Sequence, residues 1–251
     1  MIELNDICFS YSDTIALNHI NLSIKTGEAI ALMGANGCGK STLLKLINGI
    51  ISTDKGSYRF HGEDVTHKKL QDSQFSKLLH QRIGFVFQNS DTQLFCSSVY
   101  DEVAFGPRQM GYTESEVESR VNDCLALLGI QEFSKRTPYH LSGGEKRKVA
   151  IACVMSLNPE VLVLDEPMNG LDPKTQRWLV DFLNKWNKAG KTLITSTHNL
   201  DLVQEISKRS ILFDETHTIV ADGKTEELLM DEELLKRVNL VDQSYCYHKG
   251  L

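Results

Sequence analysis

No stretch of this 251-residue chain approaches the roughly 18 consecutive apolar residues that a membrane-spanning helix requires. Its longest apolar segments, residues 161–164 and 150–155, have the lengths of a buried strand and of part of a helix. The amino-terminal MIELNDICFSY has neither a basic start nor an apolar run, so no secretory signal is visible and cytoplasmic residence is expected. Cysteine pairs are missing as well: Cys8, Cys38, Cys96, Cys124, Cys153 and Cys246 are scattered without a CxxC, which argues against a disulfide framework and a structural zinc site and leaves reduced thiols. The chain lacks a basic excess. With 27 Lys+Arg against 33 Asp+Glu, its net charge of -6 is not the overall footprint of a nucleic-acid or anionic-membrane binder, although a local basic patch would survive that average. Internal repeats, low-complexity tracts and flexible linkers are absent too. At 41% hydrophobic content, the length suits one substantial core, or one core with a lobe.

What is present is a succession of strand and helix patterns. Alternating Ile20, Leu22 and Ile24 predict a half-buried strand, and residues 29–33 a buried strand running directly into a glycine loop. Over residues 40–48, the spacing of Leu43, Leu44, Leu46 and Ile47 predicts a helix packed on a sheet, with Gly49 as its end. A short strand is expected at residues 82–88. Residues 91–157 read as a polar helical lobe, with Val117, Val121, Leu125 and Leu128 at helical spacing and Pro107 and Pro138 as breaks. There follow a buried strand at 161–165, a helix at 173–188 opened by Asp172, a strand at 192–196, a strand pair around 211–220 and an acidic helical tail. The simplest organisation is one unit over residues 1–222 with the lobe inserted, and a helical tail over 223–251 that either supports dimerisation or packs as a terminal helix.

Two glycine-rich segments carry phosphate chemistry: GANGCGKST, residues 34–42, and LSGGEKRK, residues 141–148. In the first, Gly34, four residues, Gly39, Lys40 and Ser41 form a complete triphosphate site. Glycines let backbone N–H groups converge on phosphate oxygens, Lys40 reaches the terminal phosphates, and Ser41 offers a hydroxyl to magnesium at the positive end of a helix. The nucleotide-binding set is Gly34, Asn36, Gly37, Cys38, Gly39, Lys40, Ser41 and Thr42. The second segment is a surplus site, since one chain has little need of it for the same nucleotide, and that surplus suggests a dimer. Locally it also reads as a helix cap, Ser142 with Glu145, followed by a solvated basic face.

VLVLDEP, residues 161–167, is a buried strand delivering two carboxylates to a sheet edge, where ligands of open α/β sheets bind. Asp165 can hold Mg2+ through water, and Glu166 can accept a proton from, or orient, an attacking water. Three further residues are individually weak signals. Gln88 either senses magnesium-bound phosphates through its amide or is a loop glutamine, His198 either bonds a γ-phosphate or is polar surface, and Tyr11 either stacks on adenine or packs.

Tyr11, the glycine loop, Gln88, LSGGE, LVLDEP, GLDP (residues 170–173) and His198 stand in the order and spacing of ABC-type ATPases, which the chain resembles as far as residue 222. The resemblance implies an α/β P-loop NTPase fold of ABC ATPase type: a mainly parallel core sheet flanked by helices, an antiparallel β subdomain and an inserted helical lobe. It also implies an Mg-dependent ATPase with ATP and Mg2+ as cofactors. In that family ATP is clamped between the glycine loop of one subunit and the LSGG segment of another. By resemblance, Ser142, Gly143 and Gly144 face a partner's γ-phosphate, and Asp172 crosses the interface.

QNSDTQLFCSSVYDEVAFGPRQMG, residues 88–111, together with LSGGEKRKVAIA, more narrowly resembles energy-coupling-factor and cobalt/nickel importer ATPases. Such proteins pair as homodimers or with a second ABC ATPase. They sit peripherally on the cytoplasmic face of the membrane, dock on an integral membrane coupling subunit, and drive uptake of vitamins or transition-metal ions through a substrate-binding membrane component. Asp91, Leu94 and Phe95 are then expected to line a groove for a coupling helix, with Asp91 near a partner arginine; otherwise Leu94 and Phe95 are buried locally.

Departures from the family pattern are Cys38, where serine is common and where a thiol at a helix start is expected to ionise more easily, and Met168 and Asn169 after Asp-Glu-Pro. Among rivals, a GTPase is disfavoured because Asn184-Lys-Trp-Asn187 ends in an amide, and a small-molecule kinase leaves LSGG unexplained. A soluble ABC protein acting on nucleic acid or ribosomes is the alternative, but such proteins usually carry tandem units or long insertions. No nucleic acid partner is expected. No metal-ligand cluster appears either, the nearest approach being Cys246 and His248 in the tail, so the cargo is not legible.

Overall fold

A computed structural model describes residues 1–242; Cys246 and His248 lie outside the described residues. The chain opens with the antiparallel β1 (Ile2–Tyr11) and β2 (Thr14–Ile24), followed by β3 (Ala29–Met33), the glycine loop and α1 (Lys40–Asn48). β4 (Lys55–Phe60) and the short β5 (Glu63–Asp64) return to β1, and α2 (His67–Leu70) and α3 (Ser73–Arg82) lead into β6 (Ile83–Val86). Next come α4 (Val99–Gln109), α5 (Glu114–Leu128) and α6 (Gly143–Met155), the helices of the lobe. β7 (Val161–Asp165), α7 (Pro173–Lys188), β8 (Thr192–Ser196), α8 (Leu200–Ile206), β9 (Arg209–Phe213) and β10 (Ile219–Lys224) complete the core, and α9 (Thr225–Leu229) and α10 (Glu232–Arg237) follow.

The strands form two sheets. One is antiparallel, in the order β2-β1-β4-β5; the other runs β10-β9-β3-β8-β7-β6, parallel throughout except at the β10 edge. The reason lies in the side chains. β6, β7 and β8 are buried along their whole lengths and β3 in all but its first residue, as strands of a doubly covered parallel sheet must be. β2 instead alternates, with Ile20, Leu22 and Ile24 inward and His19, Asn21 and Ser23 outward. Along β7 the alternation divides two cores: Val161 and Val163 join α1 and the antiparallel sheet, while Leu162 and Leu164 join the lobe and α7. The carboxyl ends of β3, β7 and β8 meet at one edge, with Leu32 and Asp165 both in register with Ser196. The site is built there.

Several sequence expectations shift. Pro107 does not break the chain; it lies inside α4, whose last turn tolerates the lost N–H and ends two residues later. Pro138 opens a short 3₁₀ turn, Pro138–His140. The strand expected at 82–88 is only β6, because Arg82 closes α3 and Gln88 stands in the following loop. β10 continues to Lys224, so the division at 222 falls within a strand. In the described part of the tail, Leu229, Leu235 and Val238 pack with Ala31, Met33 and Leu212 on the chain's own core.

Candidate functional site

The glycine loop takes its shape from two positions where no side chain fits. At Gly39, φ is 110° and a Cβ would lie 2.3 Å from the carbonyl oxygen of Ala16; at Gly34, φ is 143° and a Cβ would lie 2.6 Å from that of Phe213. The loop is therefore seated on the ends of β2 and β9, and its backbone turns inward as α1 begins. Lys40, 6% exposed, donates from Nζ to the carbonyls of Gly34 (2.7 Å) and Ala35 (2.8 Å), which holds its charge over the loop. Beside it a cleft of 370 Å³ is lined by Asn36, Gly37, Gly39, Lys40, Ser41, Thr42, Gln88, Glu166, Asn169 and His198. Six residues of the loop thus share one cleft with four residues drawn from distant loops: Gln88 beyond β6, Glu166 and Asn169 beyond β7, and His198 beyond β8.

The two carboxylates are held differently. Asp165, at the end of β7, accepts at Oδ1 from the Ser41 hydroxyl (3.0 Å) and from the Ser196 hydroxyl (2.5 Å). Glu166 has φ 43°, a left-handed conformation that costs a non-glycine residue about 1–3 kcal/mol and so requires anchorage. The anchor is its N–H, which donates to both the carbonyl and the hydroxyl of Ser196, each at 3.1 Å. The turn aims the carboxylate at the cleft, where Oε1 is 3.0 Å from His198 Nδ1. A neutral imidazole protonated at Nδ1 donates in this contact, with Nε2 as the remaining acceptor.

Not every expected residue reaches the cleft. Gly34, Cys38 and Asp165 lie outside its lining, Asp165 being joined to it through the Ser41 hydroxyl. Cys38 is 2% exposed, with Sγ 3.8 Å from Lys40 Nζ. Burial pushes its thiol up from the ordinary range, outweighing the ammonium's opposite pull, so the expected easy ionisation is corrected: the side chain points under the loop and not along the helix dipole. Tyr11 ends β1 half-exposed with its ring 4.9 Å from that of Phe9, edge to face, away from the lining residues. Ser142, Gly143 and Gly144 also stand apart from this cleft. Ser142 caps α6 by accepting from Glu145 N while Glu145 accepts from Ser142 N (2.7 Å), which also holds the Glu145 carboxyl low. Asp172 caps α7 through Lys174 N and Thr175 N and accepts the Thr175 hydroxyl at 2.6 Å, so its carboxyl is held low. The two caps adjoin: a Cβ at Gly144 would lie 2.8 Å from Thr175 Oγ1.

Sequence reasoning passed over three residues. Asn169, in sequence only a departure from the family pattern, lines the cleft. Ser196 binds the Asp165 carboxylate and the Glu166 backbone N–H. Arg147, 3% exposed, donates to the carbonyls of Phe87 and Gln88, each at 2.6 Å, and thereby ties the segment carrying Gln88 to the helix that LSGG opens. Burial lowers its guanidinium pKa, and nearby Asp165 opposes that shift. A basic residue following LSGG was legible; its direction into the core was not.

The chain as a whole is similar to known proteins. The ABC transporter family profile matches residues 17–169, spanning the glycine loop, Gln88, LSGG and the two carboxylates. The chain belongs to the ABC transporter ATPase family. Nickel import ATP-binding protein LarO of Lactiplantibacillus plantarum is 49% identical, over 96% of this chain and 99% of its own length. An energy-coupling factor transporter ATP-binding protein, EcfA2 of Methanospirillum hungatei, is 44% identical over 96% of this chain and 59% of its own length. Among solved structures, CbiO1 of Clostridium perfringens, part of the cbiONQ ABC transporter complex, superposes with a TM-score of 0.81 at 36% identity, covering 95% of this chain and 94% of that one. This ABC ATPase accordingly has the expected fold, with its mainly parallel core sheet, antiparallel sheet and helical lobe, and it binds and hydrolyses ATP in the service of transport.

Proposed function

We propose that this ATPase drives an importer of energy-coupling-factor type, with nickel or cobalt ions, or a vitamin, as cargo. The observation carrying this reading is a groove of 420 Å³ lined by Asp91, Leu94, Phe95, Cys96, Thr137, Pro138, Tyr139 and Lys146. Phe95 is 69% and Tyr139 81% exposed, which is costly for aromatic rings unless a partner covers them. The occupant is a helix of an integral membrane coupling subunit, which works with a substrate-binding membrane component, and the chain is peripheral on the cytoplasmic face. Asp91 is paired within the chain to Lys146 at 2.6 Å, so a partner arginine has to share or displace that lysine. The names of LarO, EcfA2 and CbiO1 support this class of transporter, and the net charge of -6 gives no support to action on nucleic acid.

Hydrolysis is assigned to the cleft. The oxygens of Ser41, Asp165 and Gln88 suit a hard cation, so these residues would hold Mg2+, Asp165 through water. When bound, the ion neutralises charge on the terminal phosphates. Lys40 and the loop amides grip those phosphates, Glu166 accepts the proton of the attacking water, and His198 orients the Glu166 carboxylate. Tyr11 stacks on the adenine. Ser142 and Gly143 are exposed and Gly144 partly so, outside the chain's own cleft, which supports their use on ATP held by a second subunit, like or unlike this one, with Asp172 at the junction.

Glu166→Gln is the direct test. It keeps the size and the His198 contact but removes the base, so ATP binding should persist while turnover falls by about a hundred- to ten-thousand-fold. A steady-state phosphate-release assay beside an equilibrium ATP titration reads both; near-parental turnover would take Glu166 out of this role. Purifying the chain with its membrane partners and identifying the bound cargo tests the transport assignment.

A further inference from the structure

The Asp165 carboxylate and the backbone turn at Glu166 are tied to one residue outside the cleft lining. The parallel register of β7 and β8 sets Ser196 beside Asp165, and Ser196 is fully buried. Its hydroxyl donates to Asp165 Oδ1 at 2.5 Å and accepts the N–H of Glu166 at 3.1 Å, while its carbonyl accepts that same N–H at 3.1 Å. A hydroxyl inside a parallel sheet is costly unless it is bonded. Thr195, equally buried, has no partner for its hydroxyl, whereas Ser196 uses its hydroxyl both as donor and as acceptor.

We propose that Ser196 is a positioning residue for ATP hydrolysis, setting Asp165 and Glu166 together. Asp165 Oδ1 receives two hydroxyls, but only Ser41 lines the cleft and is available to a phosphate-bound cation. Ser196, outside the lining, keeps its bond to that carboxylate whatever Ser41 binds. At the next residue the forked hydrogen bond from Glu166 N–H fixes the left-handed turn that directs its carboxylate toward His198. One small side chain therefore sets the cation-side carboxylate and the base relative to each other. This inference rests on the roles assigned above to Asp165 and Glu166.

The test compares Ser196→Ala, Ser196→Thr and Glu166→Gln in the full chain. Ser196→Ala should bind ATP without metal as the parent does and lose about ten- to a hundred-fold in kcat, the worth of a hydrogen bond to a charged group. It should need more Mg2+ for half-maximal activity. Without nucleotide, amide exchange over residues 163–168 should speed up. Ser196→Thr, which keeps the hydroxyl, should restore turnover and slow exchange. If either substitution fails to fold, Ser196→Cys, close in size and a weak donor, should show the losses expected of Ser196→Ala. Parental kcat and Mg2+ requirement in folded Ser196→Ala or Ser196→Cys would overturn the proposal, as would a folded Ser196→Thr as slow as alanine. Glu166→Gln separates the two levels: if it turns over normally, the reading of the base fails; if it is inactive while Ser196→Ala is normal, only the role of Ser196 fails.

Discussion

At the scale of single residues, Cys38 shows how burial reverses a local rule. The start of α1 and the ammonium of Lys40 both favour a thiolate, yet removal from water favours the neutral thiol more strongly. Alkylation of Cys38 should therefore be slow near neutrality and accelerate only above the ordinary thiol range, as peptide mass spectrometry across a pH series would report. Fast modification near neutrality would contradict this. Linkage has the matching sign: the fold favours the protonated form, so this contribution to stability is full below the ordinary thiol range and is lost as the pH rises from there through the raised value of the folded chain. The sequence made the thiol's position legible but not its environment, because the core cluster it joins, with Leu17, Val163 and Phe213, comes from other parts of the chain.

At the scale of elements, caps and packing faces explain what could be read. α1, with Gly49 in a left-handed end, and α7, with Asp172 at its start, have the boundaries their terminal chemistry predicts. β3, β7 and β8 likewise match, because strands buried on both faces read as unbroken apolar runs. β4 and α3 were not foreseen: Lys55–Phe60 has only Tyr58 and Phe60 inward, and α3 buries only Leu79, so neither segment carries a strong period. α5 shows the cap at work, with Thr113 and Glu116 in a reciprocal box. Thr113→Ala should cost about 1 kcal/mol of stability, lowering the thermal midpoint by about 2–4 °C with ATP turnover unchanged; calorimetry and a phosphate assay check the pair. Lobe and core communicate through α6, whose Arg147 grips the Phe87 and Gln88 carbonyls and whose Lys146 pairs with Asp91. Gln93 adds a further link by accepting from Phe87 N and donating to the Ala150 carbonyl.

At the scale of the whole molecule, the groove and the cleft are two ends of one linked segment. Residues 87–93 run from Gln88 at the cleft wall to Asp91 at the groove, braced on α6 throughout. A partner pressing on Phe95 and Asp91 therefore acts on the helix that LSGG opens. Asp91→Lys with Phe95→Ala should abolish recovery of the membrane coupling subunit in a pulldown while leaving the basal ATPase of the isolated chain near parental. Undiminished recovery would count against the docking assignment.

The amino-acid sequence by itself determined the nucleotide chemistry and much of the element pattern. Glycine geometry, buried apolar runs and caps act over a few neighbouring residues, so GANGCGKST and VLVLDEP carry their meaning locally. Tertiary structure decided which distant groups meet. Strand register brought Ser196 to Asp165, a buried guanidinium joined Gln88 to α6, Lys146 closed on Asp91, and Cys38 turned under the loop. Those contacts depend on the register of paired strands and on exclusion of water, properties that exist only once segments far apart in the chain have packed together.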